Sequence, residues 1–126
     1  MIRYHYLQQL VLPAPFVNVT LQNPVTGAEL RDVPAQLDTA ADRTVLPDTL
    51  VQALTLPQVS AILIGGVGGL AQTMPSYPVR LAVHDLPALM IEAVASPGET
   101  WVLLGRDVLN TLRLLLDGPN LVLEIG

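Results

Sequence analysis

The sequence predicts an all-β fold, a barrel of short strands with one or two short helices, and two observations support this prediction. Eleven prolines and nine glycines interrupt the 126-residue chain at short intervals, which suits strands and turns and leaves little room for long helices. Between these interruptions, several segments alternate apolar and polar residues, as half-buried strands do, and others are apolar throughout. The length fits a single domain, which we assign to residues 1–126.

Turns and prolines delimit the predicted elements. Residues 23–27 are typical of a turn between two strands, since Gly27 can take a positive φ. Pro47 suits the first turn of a short helix, where its missing N–H costs nothing. Pro75 and Pro78 interrupt one predicted strand and indicate edge or bulge positions. The predicted strands cover residues 16–21, 29–37, 45–46, 60–64, 70–83, 89–95, 101–104, 114–116 and 121–125, and the predicted helices cover residues 47–54 and 106–112.

Composition and charge exclude several classes of function. The net charge is −5 and the six basic residues are scattered, which argues against nucleic-acid binding, since that function needs clustered cations. Without cysteine the chain has no disulfide, thiolate nucleophile or zinc–thiolate site. His5 and His84 are the only histidines, and neither has a second ligand at the spacing of a metal site. We therefore predict no metal and no cofactor.

The sequence gives no sign of a targeting or membrane-spanning segment. The first nine residues lack the apolar stretch and cleavage site of a signal peptide. No run of about 18 apolar residues exists, so we expect no membrane association and, by default, a cytoplasmic location. Apolar residues make up 51% of the chain and charged residues 13%, a balance that favours oligomerisation. Residues 2–12 and 121–125 are predicted to be apolar edges, and we expect at least one of them to pair with another subunit.

Two segments carry residues that could perform chemistry. In residues 37–46, an apolar strand delivers Asp38 into a tight loop of small residues, where the backbone can approach a substrate or a partner chain. In residues 101–110, an apolar strand ends at Gly105 and turns directly into a helix. Taken alone, the first segment could be an ordinary polar turn, and the second an ordinary strand-to-helix connection.

Between these two lies a glycine-rich segment that reads Ile64-Gly65-Gly66-Val67-Gly68-Gly69. Residues 66–71 fit the dinucleotide fingerprint G-x-G-x-x-A, with Asp85 at about the distance expected of the ribose-binding acid. That fingerprint has to open a helix, however, and Pro75 and Pro78 leave almost no room for one. We therefore disfavour a nucleotide site.

In this order and at this spacing, the three segments resemble the retropepsin family of aspartic proteases, which includes the retroviral proteases. The family's active-site loop reads apolar–Asp–Thr/Ser–Gly–Ala, and the matches here are Asp38, Thr39, Ala41, Asp42, Thr44, Val45 and Leu46. The family's later motif, apolar–apolar–Gly–Arg–Asp/Asn–apolar–Leu, is matched throughout residues 103–109. The glycine-rich segment looks like the tip of the family's flap hairpin. The resemblance covers roughly residues 16–125 and departs from the pattern at Ala40, where glycine is usual.

The resemblance implies a closed, single-domain, retropepsin-like barrel with a flap, active as a symmetric homodimer. Each chain supplies one Asp38, and peptide hydrolysis needs two carboxylates that share a proton, so the second must come from another copy. The implied function is an aspartic endopeptidase that cuts an extended peptide or protein substrate without a cofactor. The alternative is a catalytically weak or inactive dimerisation or peptide-binding module of the same fold, and Ala40 is the argument for it.

The resemblance also implies roles for the other residues of the site. Thr39, Ala40 and Ala41 would complete the active-site loop, with Thr39 hydrogen-bonded across the two-fold axis. A substrate-binding or structural group would consist of Asp42, Arg106 and Gly105, and its Asp42 and Arg106 would form an ion pair. Asp107 is expected only at the helix terminus, without a catalytic role. The flap would cover the substrate and consist of Ile64, Gly65, Gly66, Val67, Gly68 and Gly69.

Overall fold

A computed structural model describes residues 1–65 and 70–126. The strands in this part of the chain are β1 (Ile2–His5), β2 (Phe16–Gln22), β3 (Glu29–Leu37), β4 (Val45–Pro47), β5 (Ser60–Gly65), β6 (Ala71–Val83), β7 (Leu89–Ser96), β8 (Val102–Leu104), β9 (Leu114–Asp117) and β10 (Val122–Ile125). The helices are α1 (Asp48–Leu54) and α2 (Arg106–Leu109). Apart from β1, every strand was predicted from the sequence to within one residue at each end.

Six of the strands close into a barrel. Hydrogen-bonded neighbours follow the order β2-β3-β8-β4-β7-β6, and β6 also pairs with β2, which closes the sheet on itself. β5 extends this sheet from β6 as its antiparallel hairpin partner. The sheet is mixed, because β8 runs parallel to β3 and β4 runs parallel to β7. The predicted closed β-barrel is confirmed.

Apolar residues that alternate along the strands fill the barrel interior. In β2, Val17 and Val19 are buried whereas Asn18 between them is exposed, as the two-residue repeat of a strand requires. The strands that lead into the two chemical segments are equally well anchored, since Ala35 of β3 and Leu104 of β8 are both 0% exposed. The strands that lead to the two chemical segments are therefore anchored in the packed core of the barrel.

Helix α2 is shorter than the sequence predicts, since it ends at Leu109 and not at residue 112. The next amides bond three residues back, from Thr111 to Val108 and from Leu112 to Leu109, so the chain tightens into a turn. The Thr111 hydroxyl also donates to the Val108 carbonyl oxygen at 2.7 Å. Asn110 and Thr111 compete with helical hydrogen bonds through their side chains, which explains the early end. Neither helix of residues 1–65 and 70–126 is long and apolar enough to cross a bilayer.

Turn and proline positions agree with their predicted chemistry. Gly27 has a φ of +79°, in the region that favours glycine. Pro75 lies opposite Ala61 of β5, and Pro78 lies opposite Glu92 of β7. Each of these two prolines has a paired strand on one side only among the described residues, which is where a residue without an N–H is best tolerated in a sheet.

A second sheet joins the two ends of the chain. Its order is β1-β10-β9, with antiparallel pairing throughout. Arg3 lies opposite Glu124, and their side chains form an ion pair at 2.7 Å. The prediction that residues 121–125 form an edge is therefore wrong, because β10 is the central strand. The prediction did not include the pairing of the N-terminal strand β1 with β10 of the same chain, which no local pattern of residues encodes.

Candidate active site

Sheet topology determines where Asp38 lies. β8 stands between β3 and β4 in the sheet, so the loop that joins β3 to β4, residues 38–44, has to pass over the end of β8. The Asp38 N–H donates to the carbonyl oxygen of Leu104 at 3.0 Å, which fixes the loop against that strand end. Two segments that are far apart in the sequence thus meet at one point of the barrel.

Gly105 allows the loop to cross the end of β8, because a side chain at that position would collide with the backbone of Arg43. A Cβ there would lie 2.6 Å from the carbonyl oxygen of Arg43 and 2.9 Å from its nitrogen, and closer still to its carbonyl carbon. Gly105 has an extended backbone, with φ −86° and ψ −178°, that any residue can adopt. Close approach of two backbones, not a positive φ, therefore requires glycine here.

Thr44 and Asp107 join the loop to α2 in a way that the sequence analysis missed. The Thr44 N–H donates to Asp107 Oδ2 at 3.0 Å, and the Thr44 hydroxyl donates to Asp107 Oδ1 at 2.8 Å. The same hydroxyl oxygen accepts the Gly105 N–H at 3.2 Å. Thr44 is fully buried, so these bonds satisfy polar groups that water cannot reach. The sequence offered one signal for this contact, since Thr44 lies in the first matched motif and Asp107 lies in the later one.

Replacing Thr44 with Val is expected to destabilise the protein. The substitution keeps the shape of the side chain, but it leaves the buried Gly105 N–H without an acceptor and Asp107 Oδ1 without a donor. We expect the free energy of unfolding in urea to fall by about 1–3 kcal/mol. The matched control is Thr49→Val on the exposed surface of α1, which should change stability by less than about 0.5 kcal/mol. Equal effects of the two substitutions would contradict this account.

The active-site loop is closed by its own hydrogen bonds. Asp38 is half-buried, and its Oδ1 accepts the Ala40 N–H at 3.1 Å, while its carbonyl oxygen accepts the Ala41 N–H at 3.2 Å. Ala40 is not among the residues with a positive φ. Alanine in place of the usual glycine therefore imposes no backbone strain on this loop.

The predicted ion pair between Asp42 and Arg106 is not formed. The Arg106 guanidinium donates from Nη1 to the carbonyl oxygen of Thr39 at 2.8 Å, and its backbone N–H donates to the carbonyl oxygen of Ala41 at 2.8 Å. Asp42 is exposed and keeps its hydration. An ion pair between exposed side chains gains little beyond what water already supplies. Arg106 thus supports the backbone of the loop.

A small open cavity of about 180 Å³ lies beside Asp38. Its floor is the loop itself, residues 38 and 40–43, and its walls are Val45, Val94, Ile64 and Gly65. Ile64 and Gly65 are the first two residues of the predicted flap, so the base of that segment faces the aspartate. The rest of the predicted flap, Gly66, Val67, Gly68 and Gly69, lies outside the described residues. The chain continues as strand β6 from Ala71, and the dinucleotide fingerprint would need a helix there.

Two other hollows of the described surface are separate from the one beside Asp38, and one of them carries the carboxylates of Glu29, Asp32 and Asp85. A larger cavity of about 460 Å³ lies between the second sheet and α2, but no Asp or Glu side chain lines it. His84 lines a third hollow, where its Nδ1 lies 2.7 Å from Asp85 Oδ1 and this hydrogen bond lowers the pKa of the Asp85 carboxyl. Neither hollow includes Asp38.

The loop offers one half of an acid–base pair. An ionised carboxylate can accept a proton from water, and a second, protonated carboxyl can hydrogen-bond to a substrate carbonyl. Asp38 is the carboxylate that the loop hydrogen bonds hold in place, whereas Asp42 stands at the exposed side of the cavity. Asp42 is the only other carboxylate among the described residues that line this cavity.

Comparison with known proteins gives results that agree with this geometry. The family model described as retroviral aspartyl protease matches residues 12–117. The EIAV protease complexed with the inhibitor HBY-793 is similar at 22% sequence identity and a TM-score of 0.58, over 83% of this chain and 93% of that chain. A retropepsin-like aspartic protease from Rickettsia conorii is similar at 12% identity and a TM-score of 0.67, over 97% of this chain and 87% of that chain. Both structures share the fold of this chain.

Proposed function

The chain belongs to the retroviral aspartyl protease family, and on that premise we propose that it is an endopeptidase acting as a symmetric homodimer. Asp38 of each subunit would supply one carboxylate of a catalytic pair. The single observation that carries the proposal is the position of Asp38, held in a loop over the end of β8 and facing a cavity shared with Ile64 and Gly65.

The chemistry follows from the charge of two neighbouring carboxyl groups. Two carboxylates about 3 Å apart cannot both ionise, so they share one proton and titrate as a pair. The ionised member takes a proton from a water molecule, which attacks the peptide carbonyl carbon. The protonated member hydrogen-bonds to the carbonyl oxygen and stabilises the charge that develops there. The tetrahedral intermediate then collapses as the carboxyl that took the water proton gives it to the leaving nitrogen and the C–N bond breaks, which returns the pair to its starting state.

An extended substrate suits this site. β5 carries Ile64 and Gly65, and among the described strands it has a hydrogen-bonded neighbour on one side only. The N–H and C=O groups of its other edge are available to an added strand. The apolar side chains of Val45, Val94 and Ile64 line the adjacent cavity and would contact a substrate side chain.

The experiment that tests this function is cleavage of an unstructured protein and a peptide library between about pH 4 and pH 7, where a pair sharing one proton is active. Products are identified by mass, and the oligomeric state is measured in the same buffer over a series of protein concentrations. We expect internal peptide bonds to be cut and specific activity to rise with the fraction of dimer. The Asp38→Asn protein, prepared in parallel, reveals any cleavage by contaminating proteases.

A dimer that binds peptides without cutting them would overturn the endopeptidase proposal and favour the peptide-binding module. The structure gives that alternative no specific support, because Ala40 fits its loop without strain. Ala40→Gly is the informative variant in that case, since it restores the usual residue of the family's loop.

A further inference from the structure

We propose that Arg43 selects substrates that place an acidic side chain, aspartate or glutamate, in the cavity beside Asp38. The inference rests on the proposed function and deepens it, because it names the class of peptide that the site accepts. The sequence analysis assigned Arg43 no role, although it lies in the active-site loop between Asp42 and Thr44. Its place in the folded chain is what brings it to the cavity.

Sheet pairing places Arg43 at the wall of this cavity. Strand β4 runs parallel to β7 with Val45 opposite Val94, and the Thr44 carbonyl oxygen accepts the Val94 N–H at 3.1 Å. Residues two apart on a strand project from the same face, so Glu92 lies on the face of β7 that carries Val94. Arg43 Nη1 lies 3.9 Å from Glu92 Oε2. The guanidinium therefore extends along the face whose valines form the cavity wall, and Arg43 itself lines the cavity.

The carboxylate of Glu92 is held in place by a second contact. The Ser76 hydroxyl donates to Glu92 Oε1 at 2.7 Å, and Ser76 is 0% exposed. A buried hydroxyl needs an acceptor for its proton, so this hydrogen bond holds the Glu92 side chain against β6. Glu92 is therefore a positioned negative charge that orients the side chain of Arg43 along the cavity.

This pairing leaves the hydrogen-bond donors of Arg43 open. At 3.9 Å the contact with Glu92 is longer than a hydrogen bond, and the two side chains are 41% and 39% exposed. An ion pair of this kind contributes little, because water screens both charges. Within residues 1–65 and 70–126 the Arg43 guanidinium donates no hydrogen bond, whereas that of Arg106 donates to the Thr39 carbonyl oxygen. A planar guanidinium with free N–H groups binds a carboxylate through two parallel hydrogen bonds.

The other charges of the cavity make this cation necessary for an acidic substrate. Arg43 is the only basic residue among the described residues that line the cavity, and Asp38 and Asp42 are the acidic ones. A pair of Asp38 carboxyl groups that shares one proton keeps one negative charge, which repels an anionic side chain unless a cation stands close to it. A glutamate side chain offers methylene groups that pack on Val45 and Val94, and a carboxylate for Arg43.

Matched peptides test this preference. A library peptide that the protein cuts, or binds without cutting, is prepared with glutamate, glutamine or lysine at each position near the cut bond. Cleavage is measured as kcat/KM at pH 6, where the glutamate side chain is ionised. At the position that occupies the cavity, we expect the wild type to prefer glutamate to glutamine about tenfold, which is the discrimination that a hydrogen bond to a charged group provides. Lysine should be the poorest of the three, because it sets a cation against Arg43.

Three substitutions separate the local contact from the overall charge of the protein. Arg43→Glu reverses the charge beside the cavity, so the lysine peptide should be cut faster than the glutamate peptide. Arg80→Glu makes the same change in net charge at an exposed position of β6 that does not line the cavity, and should keep the wild-type preference. Arg43→Lys keeps the charge without the planar pair of donors and should keep part of the preference. Circular dichroism verifies that each variant is folded.

Equal cleavage of the glutamate and glutamine peptides by the wild type would overturn the proposal, and this comparison needs no variant. An equal shift of preference in Arg80→Glu and Arg43→Glu would overturn it as well, since the effect would then come from the net charge and not from the cavity.

Peptide binding to Asp38→Asn separates this inference from the proposed function, because that variant keeps the cavity. Binding of the labelled peptides is measured by fluorescence anisotropy. A glutamate preference that disappears when Arg43→Glu is added, in a protein whose wild type cuts nothing, supports selection by Arg43 and counts against the endopeptidase. A wild type that cuts the glutamate and glutamine peptides equally leaves the endopeptidase standing and overturns the selectivity. A protein that neither cuts nor binds peptides overturns both.

Discussion

Asp38→Asn is expected to abolish peptide cleavage while leaving the barrel and the dimer intact. Asparagine has nearly the same shape as aspartate, and its side-chain oxygen can still accept the Ala40 N–H. It cannot ionise, however, so the pair loses both its base and its shared proton. We expect cleavage to fall by about 10²–10⁴-fold, the usual contribution of a positioned acid–base group. Peptide cleavage and sedimentation of the same preparation measure the two quantities together.

Asp42→Asn is the matched control, since Asp42 lies in the same loop and lines the same cavity. Asp42 is exposed and makes no ion pair with Arg106, so this variant should keep most of its activity. A loss of activity in Asp42→Asn as large as in Asp38→Asn would refute the assignment of the catalytic carboxylate.

Mixing the variant with the wild type tests whether the pair spans two subunits. After unfolding and refolding together in equal amounts, random pairing leaves about one quarter of the dimers with two wild-type chains. We expect activity near that fraction. Activity near one half would indicate that each chain carries a complete site of its own.

Gly105→Ala is expected to cause the largest loss of stability of any small substitution in the site. The added Cβ would meet backbone atoms of Arg43 at 2.6 and 2.9 Å, and backbone cannot move aside as a flexible side chain can. The crossing loop, residues 38–44, would have to lift from the end of β8. We expect the free energy of unfolding to fall by about 3 kcal/mol or more, as overpacking of a buried site does. Urea denaturation monitored by circular dichroism provides the measurement.

Gly98→Ala is the control for this substitution, because nothing lies within 4 Å of a Cβ at residue 98. It should change stability by less than about 1 kcal/mol in either direction. Since the crossing loop carries Asp38, any folded Gly105→Ala protein should also lose cleavage activity. A Gly105→Ala protein with the stability of Gly98→Ala would show that the two backbones do not approach as closely as described.

The strands themselves could be predicted because their signals are local. Residues 29–37 follow a turn with Gly27 and were predicted as the returning strand of a hairpin, and the structure places β3 at Glu29–Leu37. Only α2 was misplaced at its end, where Asn110 and Thr111 prefer a turn. The chemical segments were recognisable for a different reason, because Asp38 and Gly105 lie in short patterns that resemble a known family.

Contacts between distant residues could not be predicted in the same way. The guanidinium of Arg106 bonds a loop carbonyl instead of Asp42, and Asp107 bonds Thr44 instead of only ending a helix. The Asp107 bonds depend on the burial of Thr44, and the Arg106 bond depends on where the loop carbonyl lies, and both are properties of the folded chain. The sequence indicates which residues are candidates for such bonds, but not which of them pair in the folded protein.

The sequence by itself determined the strand pattern, the turn at Gly27 and the presence of one Asp38 per chain, since each depends on residue type and near neighbours. The tertiary structure decided that β8 lies between β3 and β4, and with it the crossing loop and the need for glycine at residue 105. It also decided that β1 pairs with β10, which makes β10 the central strand of the second sheet. The physical reason is that strand neighbours are chosen by packing and hydrogen bonding across the whole barrel, which no local pattern of residues encodes.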